Sequence, residues 1–296
     1  MKVPSSFIPW LPALALIAVT GCARWEKRGF DLLSATNKQP VASTTQHTSN
    51  KKRVVLDVEF VNLSASPSPS VSEDQTTPSL WQWVDETSID PSLRREMIRN
   101  GIRVGFVNNE EAFRDQLDNN EIERDLVETF LAEASIATDL AHGSKKMPMR
   151  LGRRYELPLR QPLEGSHVAM IREHENLIGR TLKNAQYVLA LTGARAETPE
   201  QIQLKIHPEI QHGEMIQKWV SSDTALRIDS RRESWQISAL NLDLLVKEGD
   251  LIVIAPTQPL HGLAKHMFSG TGSDNQREQL VLLIRVEQIP TPIEKL

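Results

Sequence analysis

Apolar residues alternate with other residues in several short segments, and this period of two predicts β-strands. Residues 54 to 61 and residues 102 to 107 both show the pattern of a half-buried strand. Residues 280 to 286 are almost entirely apolar, which is typical of a central strand covered on both faces. The pattern therefore predicts strands in both the first and the last third of the chain.

Two other segments have the apolar period of amphipathic helices. In the first, Asp90 is a suitable N-cap, Pro91 takes the first helical position and Gly101 can end the helix. In the second, Asn120 and Glu123 form a pair similar to a capping box, and one face carries Leu126, Phe130, Ala134 and Ala137. Strand, helix, strand and helix thus follow one another.

The predicted fold class is α+β, with two consecutive domains. Residues 53–142 form a small α/β domain with a Ser/Pro/Thr-rich loop at 64–79, and a basic linker follows at 143–153. Residues 154–290 are predicted to form a β-rich domain, a sandwich or a partly open barrel, before a tail at 291–296. Glycines and prolines separate its short strand-like runs, which include Glu156–Leu159, His167–Ile171, Tyr187–Leu191 and Ile202–Ile206.

The N-terminal segment has the pattern of an export signal. Lys2 precedes an apolar run from Phe7 to Thr20 that is too short for a comfortable membrane span and ends in small residues. We therefore expect residues 1–21 to be a cleaved signal peptide. Residues 22–52 contain almost nothing that could build a core, so they are predicted to be a flexible tether.

Composition restricts the classes of function. The chain has 296 residues, of which 40% are hydrophobic and 24% are charged, as in ordinary globular proteins. Its formal net charge of −4 provides no overall basic field, so nucleic acid is not an expected partner. Cys22 is the only cysteine, so the chain cannot form an internal disulfide bond.

Histidines are the main candidates for chemistry. His207, His212 and Glu214 are candidate metal ligands, although their spacing fits no common site. The segment Glu173–Glu175 is a candidate general base, because carboxylates flank His174. Polar turns explain both groups more simply, so we predict no catalytic residue, metal or cofactor.

Tryptophans suggest a binding groove as an alternative. Trp81 and Trp83 are predicted to share one face of a strand, where they either belong to the core or line a groove for a peptide or glycan. The pair Asp85-Glu86 follows them and could supply carboxylates for acid–base chemistry. The other candidate indoles are Trp219 and Trp235.

The apolar run at the N-terminus ends in Val19-Thr20-Gly21-Cys22. This stretch resembles the lipobox of bacterial lipoproteins. The resemblance implies that Cys22 is diacylated on its thiol, becomes the mature N-terminus and carries a third acyl chain. Two or three acyl chains give stable attachment to a membrane. Because the next residue is Ala23 rather than Asp, the resemblance favours the periplasmic face of the outer membrane, with the inner membrane as the alternative.

Residues 200 to 289 contain four features in a fixed order. They are a strand that runs into a proline, a Gly-Asp turn before an apolar strand, a Gly-Leu loop that ends in Phe, and a final Glu-x-Leu strand: Ile202–Ile210, Gly249–Ile254, Gly262–Phe268 and Glu278–Ile284. This order resembles the C-terminal core of bacterial secretins, although Ala255-Pro256 replaces their paired glycines. The resemblance implies a β-rich envelope domain that could associate with itself.

These observations predict a lipid-anchored cell-envelope protein with a non-catalytic scaffolding or docking role, in an export or surface-assembly complex. The chain lacks the motifs of nucleophilic catalysis and of phosphate-binding loops. The expected partners are membrane lipid, through acylated Cys22, and an envelope protein or a second copy of the chain. The alternatives are a metal-dependent or His/carboxylate envelope hydrolase and a glycan- or peptide-binding module.

Overall fold

The computed structural model describes a large part of the chain: residues 53–64, 80–119, 121–122, 127, 130, 139–221, 226–272 and 277–290. These residues all belong to one compact unit, which spans residues 44–296. Several predictions lie outside the described residues: the signal peptide at 1–21, Cys22 and the tether at 22–52, the loop at 65–79, the Asn120 and Glu123 pair and the tail at 291–296.

Strands make up most of the described residues and form two antiparallel sheets that do not close into a barrel. This confirms the predicted β-rich sandwich. Residues from both sheets contribute to one large buried apolar cluster, which is the main core of the molecule.

Sheet I has seven strands. They are β1 (Val54–Ser64), β2 (Val84–Asp85), β3 (Ile102–Val107), β4 (Gly143–Met149), β11 (Leu251–Pro256), β12 (Ser269–Thr271) and β13 (Arg277–Gln288). The spatial order is β2-β3-β11-β13-β1-β4, with β12 paired to one end of β13. The nearly all-apolar β13 lies between β11 and β1, as its pattern predicted, and most of its side chains are buried.

Sheet II has six strands. They are β5 (Arg154–Pro158), β6 (Leu163–Glu173), β7 (Asn176–Arg195), β8 (Gln201–Ser221), β9 (Leu226–Gln236) and β10 (Leu242–Lys247). The spatial order is β10-β8-β7-β5. In addition, β6 pairs with the first half of β7, and β9 pairs with the second half of β8.

The two long strands of sheet II pass through residues that the sequence marks as turns. Pro208 lies inside β8, where the neighbour of β8 changes from β10, paired up to Ile206, to β9, paired from Glu209. Proline has no amide hydrogen to donate to a neighbouring strand, and the loss of this hydrogen bond is least costly where a strand changes its partner. Gly213 has a φ of +76° and lies where the β8–β9 register shifts, so a bulge rather than a turn accommodates it.

Sheet I combines strands from both predicted domains. The early strand β1 pairs with the late strand β13 along ten residue positions, and β3 pairs with β11. Residues 143–149 of the predicted linker form β4, which pairs with β1. The described residues therefore form one compact unit instead of the consecutive domains at 53–142 and 154–290, because apolar periodicity specifies a strand without specifying its partner.

Three short helices are described from end to end: α1 (Pro91–Arg99), α2 (Glu110–Asp118) and α3 (Ala264–Met267). The prediction for α1 is confirmed, since the Asp90 carboxylate accepts hydrogen bonds from the amides of Ser92 and Leu93. Gly101 follows α1 with a φ of +80°, a backbone conformation that glycine adopts at low cost.

A smaller apolar cluster covers the other face of sheet I. The helix α2 contributes Phe113 and Leu117 to it, and the 3-10 turn Leu80–Trp83 packs against it. Trp81 and Trp83 are thus partly buried structural residues on a helical turn, not two indoles on one face of a strand. This observation favours the core interpretation of these tryptophans over a groove.

Candidate functional site

The candidate metal ligands do not come together. His207, His212 and Glu214 all lie along β8. Side chains alternate between the two faces of a strand, so residues five apart such as His207 and His212 point to opposite faces in a regular strand. In the part of the chain that the structure describes, no group of three or more His, Cys, Asp or Glu side chains could hold a metal ion.

The segment Glu173–Glu175 forms the tip of the β6–β7 hairpin. The amide of His174 donates a hydrogen bond to the carboxylate of Glu96 at 3.1 Å, and the Arg99 guanidinium donates to the His174 carbonyl at 3.2 Å. These contacts attach the hairpin tip to α1. The structure thus favours the charged-turn interpretation of this segment.

The pair Asp85-Glu86 is divided between two structural roles. Asp85 accepts hydrogen bonds from the amide and hydroxyl of Thr87, at 2.7 and 2.6 Å, and these lower the pKa of its carboxyl. Glu86 instead binds Arg103 through two hydrogen bonds of 2.8 and 3.0 Å, and the Arg103 guanidinium lies 4.0 Å from the centre of the Trp81 ring. The two carboxylates therefore do not act on one substrate atom.

The structure does assemble a polar cluster that the sequence did not reveal. His167 of β6 lies within hydrogen-bonding distance of Tyr187 of β7, with 3.0 Å between imidazole Nε2 and phenol oxygen. The imidazole of His266, in α3, lies parallel to the Tyr187 ring at a centroid distance of 6.1 Å and 5.5 Å from the His167 ring. The buried Arg160 guanidinium donates to the carbonyls of His266 and Ser269 at 2.9 and 2.7 Å.

The cluster disfavours additional positive charge. Burial, reinforced by the charge of Arg160, lowers the pKa of His167. Burial lowers the pKa of His266 in the same way, and it is reinforced by the charges of Arg160 and Lys265 and by the charge that His167 would carry when protonated. Among the described residues, Nδ1 of His167 and Nε of Arg160 are buried without a hydrogen-bond partner. Both imidazoles are therefore held neutral near pH 7 in a packed interface between β6, β7 and α3.

A cavity of about 460 Å³ lies beside this cluster. Cations and carboxylates both line it: Asp139, Arg160, Lys265, Arg277 and Glu278. The Asp139 carboxylate lies 3.6 Å from the Arg160 guanidinium and partly offsets its charge. The mixed lining selects no single class of ligand.

We expect the fold to lose stability as the pH falls below about 6.5, the ordinary pKa of an imidazole. Because the folded-state pKa values of His167 and His266 are lowered, the unfolded chain binds more protons than the folded chain below this pH. Thermal denaturation between about pH 7.5 and pH 5 measures the effect. The double variant H167Q/H266Q should lose less stability over this range than the wild type, whereas the control H212Q should behave like the wild type. Equal losses in all three proteins would contradict the assignment.

Exposed apolar side chains concentrate on two hairpins of sheet II. Seven of the eleven large exposed apolar residues in the described part of the chain lie there. We call these seven the hairpin surface: Val168, Met170 and Leu177 on β6–β7, and Met215, Ile216, Trp219 and Ile228 on β8–β9.

The strand register divides the side chains of the hairpin surface between more than one face. Ile216 lies opposite Arg231 and three positions before Trp219, so it points to the other face of the arm. Trp219, which is 71% exposed, lies directly opposite Ile228, which is 52% exposed. Val168 and Met170 are two residues apart on β6, so they point to the same side of the sheet. The two hairpins also contact one another, since the Arg232 guanidinium of β9 donates to the Asn184 carbonyl of β7 at 3.1 Å.

The second half of β8 and its partner β9 form a two-stranded arm, residues 212–221 and 226–233. Pairing between β7 and β8 ends at Gln186 and Gln211, and among the described strands the arm has no other neighbour in its sheet. Trp235 lies at the base of the arm, where it is only 9% exposed and the Arg180 guanidinium covers its ring at 4.3 Å.

The arm extends from the end of sheet II that lies away from the start of β1. The first residue of β1, Val54, pairs with Met149, and the turn after β4 donates a hydrogen bond from Gly152 to the Gly193 carbonyl at 2.8 Å. Gly193 lies near the end of β7 that is remote from Gln186. Strand β1 thus begins at one end of the sandwich, and the arm leaves from the other.

Comparison with known protein families, with curated protein sequences and with solved structures gives no match. None of the described helices has both the length and the apolar character needed to cross a membrane.

Proposed function

We propose that this protein is a lipid-anchored cell-envelope scaffold that acts by protein–protein contact, without a catalytic role, in an export or surface-assembly complex. The observation that carries the proposal is the concentration of exposed apolar side chains on the hairpin surface. Soluble monomers rarely expose apolar patches of more than a few hundred Å², and larger ones mark interaction sites.

The N-terminal sequence supports the envelope location. Acyl chains on Cys22 would hold the protein at the periplasmic face of the outer membrane, or at the inner membrane as the alternative. The tether from residue 22 to residue 52 has 31 residues, which gives an average reach of about 30 Å as a flexible coil. The sandwich would therefore stay close to the bilayer while its arm remains available to a protein partner.

A glycan- or peptide-binding module is the second candidate, because Trp219 is exposed as an indole in a ligand groove would be. Its companion Trp235 is buried beneath Arg180, however, so the two indoles do not line one groove. No arrangement of described residues favours the hydrolase alternative, since its candidate ligands and bases lie on one strand and on one hairpin tip.

Substitution of Cys22 by serine tests the anchor. We expect labelled palmitate to be incorporated into the wild-type protein and not into C22S, and we expect C22S to leave the membrane fraction, because the acyl chains provide the attachment. Membrane fractionation after metabolic labelling measures both effects. Membrane retention of unlabelled C22S would contradict the lipid anchor.

A photo-cross-linking residue at position 219 tests the docking role in the intact envelope. We expect covalent adducts with protein from this position and none from position 245. Leu245 of β10 is a matched control because it is an apolar residue with a similar exposure of 60% outside the hairpin surface. Equal adduct yields from both positions, or none from either, would exclude the hairpin surface as the docking site.

A further inference from the structure

We infer that the cavity of about 460 Å³ beside α3 and β12 binds a small molecule that carries a phosphate monoester, and that Arg160, Lys265 and Arg277 hold its phosphate group. This inference goes beyond the scaffolding role and does not depend on it. The volume lies within the range of small-molecule sites, roughly 300–1,000 Å³. The mixture of charges in the lining selects no ligand by itself, but the contacts that each charge already makes do.

The buried Arg160 guanidinium, between β5 and β6, is the first cation. Its side chain is only 6% exposed, and Nη1 is occupied by the carbonyls of His266 and Ser269. Nη2 lies 3.6 Å from the Asp139 carboxylate, too far for a hydrogen bond, and Nε has no partner among the described residues. Burial lowers the pKa of this guanidinium, but an arginine stays protonated in proteins. A bound anion would therefore compensate a buried charge that no described carboxylate meets by a hydrogen bond.

Two further cations reach the cavity from separate elements. Lys265 lies in α3, and Arg277 is the first residue of β13. Both residues are exposed, and no described residue forms an ion pair with either of them. A flexible ammonium group and a guanidinium fork are both common ligands of phosphate oxygens. With Arg160 they provide three cationic donor groups for one anion.

The two carboxylates of the cavity are engaged with the protein. Asp139, whose side chain is 47% exposed, accepts a hydrogen bond from the Thr271 amide at 3.1 Å and lies beside Arg160. Glu278 is only 2% exposed, and its carboxylate lies so close to Gly272 that a Cβ there would clash with Oε1. A buried carboxylate offers almost no surface to a ligand. The charge that a ligand meets is thus mainly positive, which favours an anion.

The arrangement of the donors suits a tetrahedral oxyanion. A phosphate monoester has three terminal acceptor oxygens and a charge of about −1.5 to −2 at pH 7. A carboxylate, like the phosphodiester of a membrane lipid, has two such oxygens and a single charge. Donors that come from three separate parts of the fold therefore fit the monoester better than either of these groups.

Calorimetric titration of the full-length protein in a non-ionic detergent tests the site. The probe is inorganic phosphate at about pH 8, where the second proton of a phosphate is released. We expect saturable binding that potassium chloride of the same ionic strength does not reproduce. Dimethyl phosphate has the single charge of a lipid phosphodiester, and it should bind at least about tenfold more weakly because it loses a charge-assisted hydrogen bond.

The double variant K265A/R277A tests the residues. Because both side chains are exposed, their removal should leave the fold intact. We expect the dissociation constant for phosphate to rise at least about tenfold. The control R153A/K247A removes the same charge from two exposed residues outside the cavity, and it should bind phosphate like the wild type. Matching thermal denaturation curves without phosphate would show that both variants are folded.

The outcomes distinguish a phosphate site from a general effect of charge. The site would be overturned if the wild type showed no saturable binding of phosphate, or if K265A/R277A bound phosphate as tightly as the wild type. An equal loss of affinity in both double variants would also overturn it, since attraction by overall charge would then explain the binding. Equally tight binding of dimethyl phosphate would overturn the choice of a monoester and indicate a lipid head group. None of these results bears on the docking role of the hairpin surface.

Discussion

Replacement of Arg154 by alanine should lower the free energy of unfolding by roughly 3 kcal/mol, the lower end of the cost of breaking a buried ion pair. Arg154 donates to both carboxylate oxygens of Glu209, at 2.5 and 2.7 Å, and the Glu209 side chain is only 1% exposed. The loss of Arg154 leaves a buried carboxylate with one remaining partner, the Ser234 hydroxyl at 2.7 Å. We expect the lower end of the range because Arg154 itself is 39% exposed. Urea denaturation measures the loss.

The effect of R154A should depend on pH in a defined direction. In the wild type, burial raises the pKa of Glu209, but hydrogen bonds from Arg154 and Ser234 outweigh burial and lower it. The ionised pair therefore contributes stability above the ordinary pKa of a glutamate, about 4.3, and this contribution is lost as the pH falls through the lowered folded-state value. In R154A burial dominates, so the pKa of Glu209 rises and the penalty of the substitution shrinks in acid.

The double variant R154A/E209Q is the control. Removal of the charge of Glu209 should restore part of the stability lost in R154A, so the two single effects should not add. Additive losses, or a loss in R154A below about 1 kcal/mol, would indicate an ordinary surface ion pair.

Replacement of Gly101 by alanine should destabilise the fold by roughly 3 kcal/mol or more. The left-handed backbone of Gly101, at a φ of +80°, adds about 1–2 kcal/mol for a residue with a side chain. A Cβ at this position would also lie 2.2 Å from the His261 carbonyl oxygen, so the backbone would have to move. Chemical denaturation measures the total cost.

Gly249 provides a matched control for G101A. It has a similar φ of +91°, but a Cβ there would meet no atom within 4 Å. G249A should therefore show only the conformational cost of about 1–2 kcal/mol. Equal losses in G101A and G249A would mean that the close approach to His261 contributes nothing.

The junction around Gly101 also supports the hairpin surface. The preceding residue, Asn100, accepts a hydrogen bond from the Arg172 amide at 2.8 Å and donates one to the Arg172 carbonyl at 2.7 Å. Its own carbonyl accepts a bond from Ala264 at 3.0 Å. A displacement at Gly101 would therefore reach the β6–β7 hairpin as well as α3.

The sequence correctly predicted those helices and strands that are determined by the residue types of a short segment. The helix α1 begins and ends where Asp90 and Gly101 indicate, since capping bonds and left-handed backbone depend on a few neighbouring residues. Strands β1, β3 and β13 lie where their apolar patterns predicted them. A strand that is buried on one face has apolar residues at alternate positions, and a strand that is buried on both faces has them at nearly every position.

The candidate site could not be predicted in the same way. His167, Tyr187 and His266 lie far apart in sequence, and no spacing connects them to Arg160. Trp219 and Trp235 both suggested a ligand surface, yet one is exposed on the arm and the other is buried at its base. Whether a residue is buried depends on which segments pack over it, and this cannot be read from the residue type alone.

The sequence alone predicted the β-rich body that the structure confirms, and its prediction of an exported chain with a lipobox-like N-terminus and a polar tether stays a prediction. All of these predictions rest on charge, apolar period and small residues, which act locally. The tertiary structure decided which strands pair, where β7 and β8 extend beyond the strands beside them, and which apolar side chains are exposed. The pairing of β1 with β13, for example, joins residues more than two hundred positions apart. The free energy of such contacts comes from packing and burial, which no short window of sequence contains.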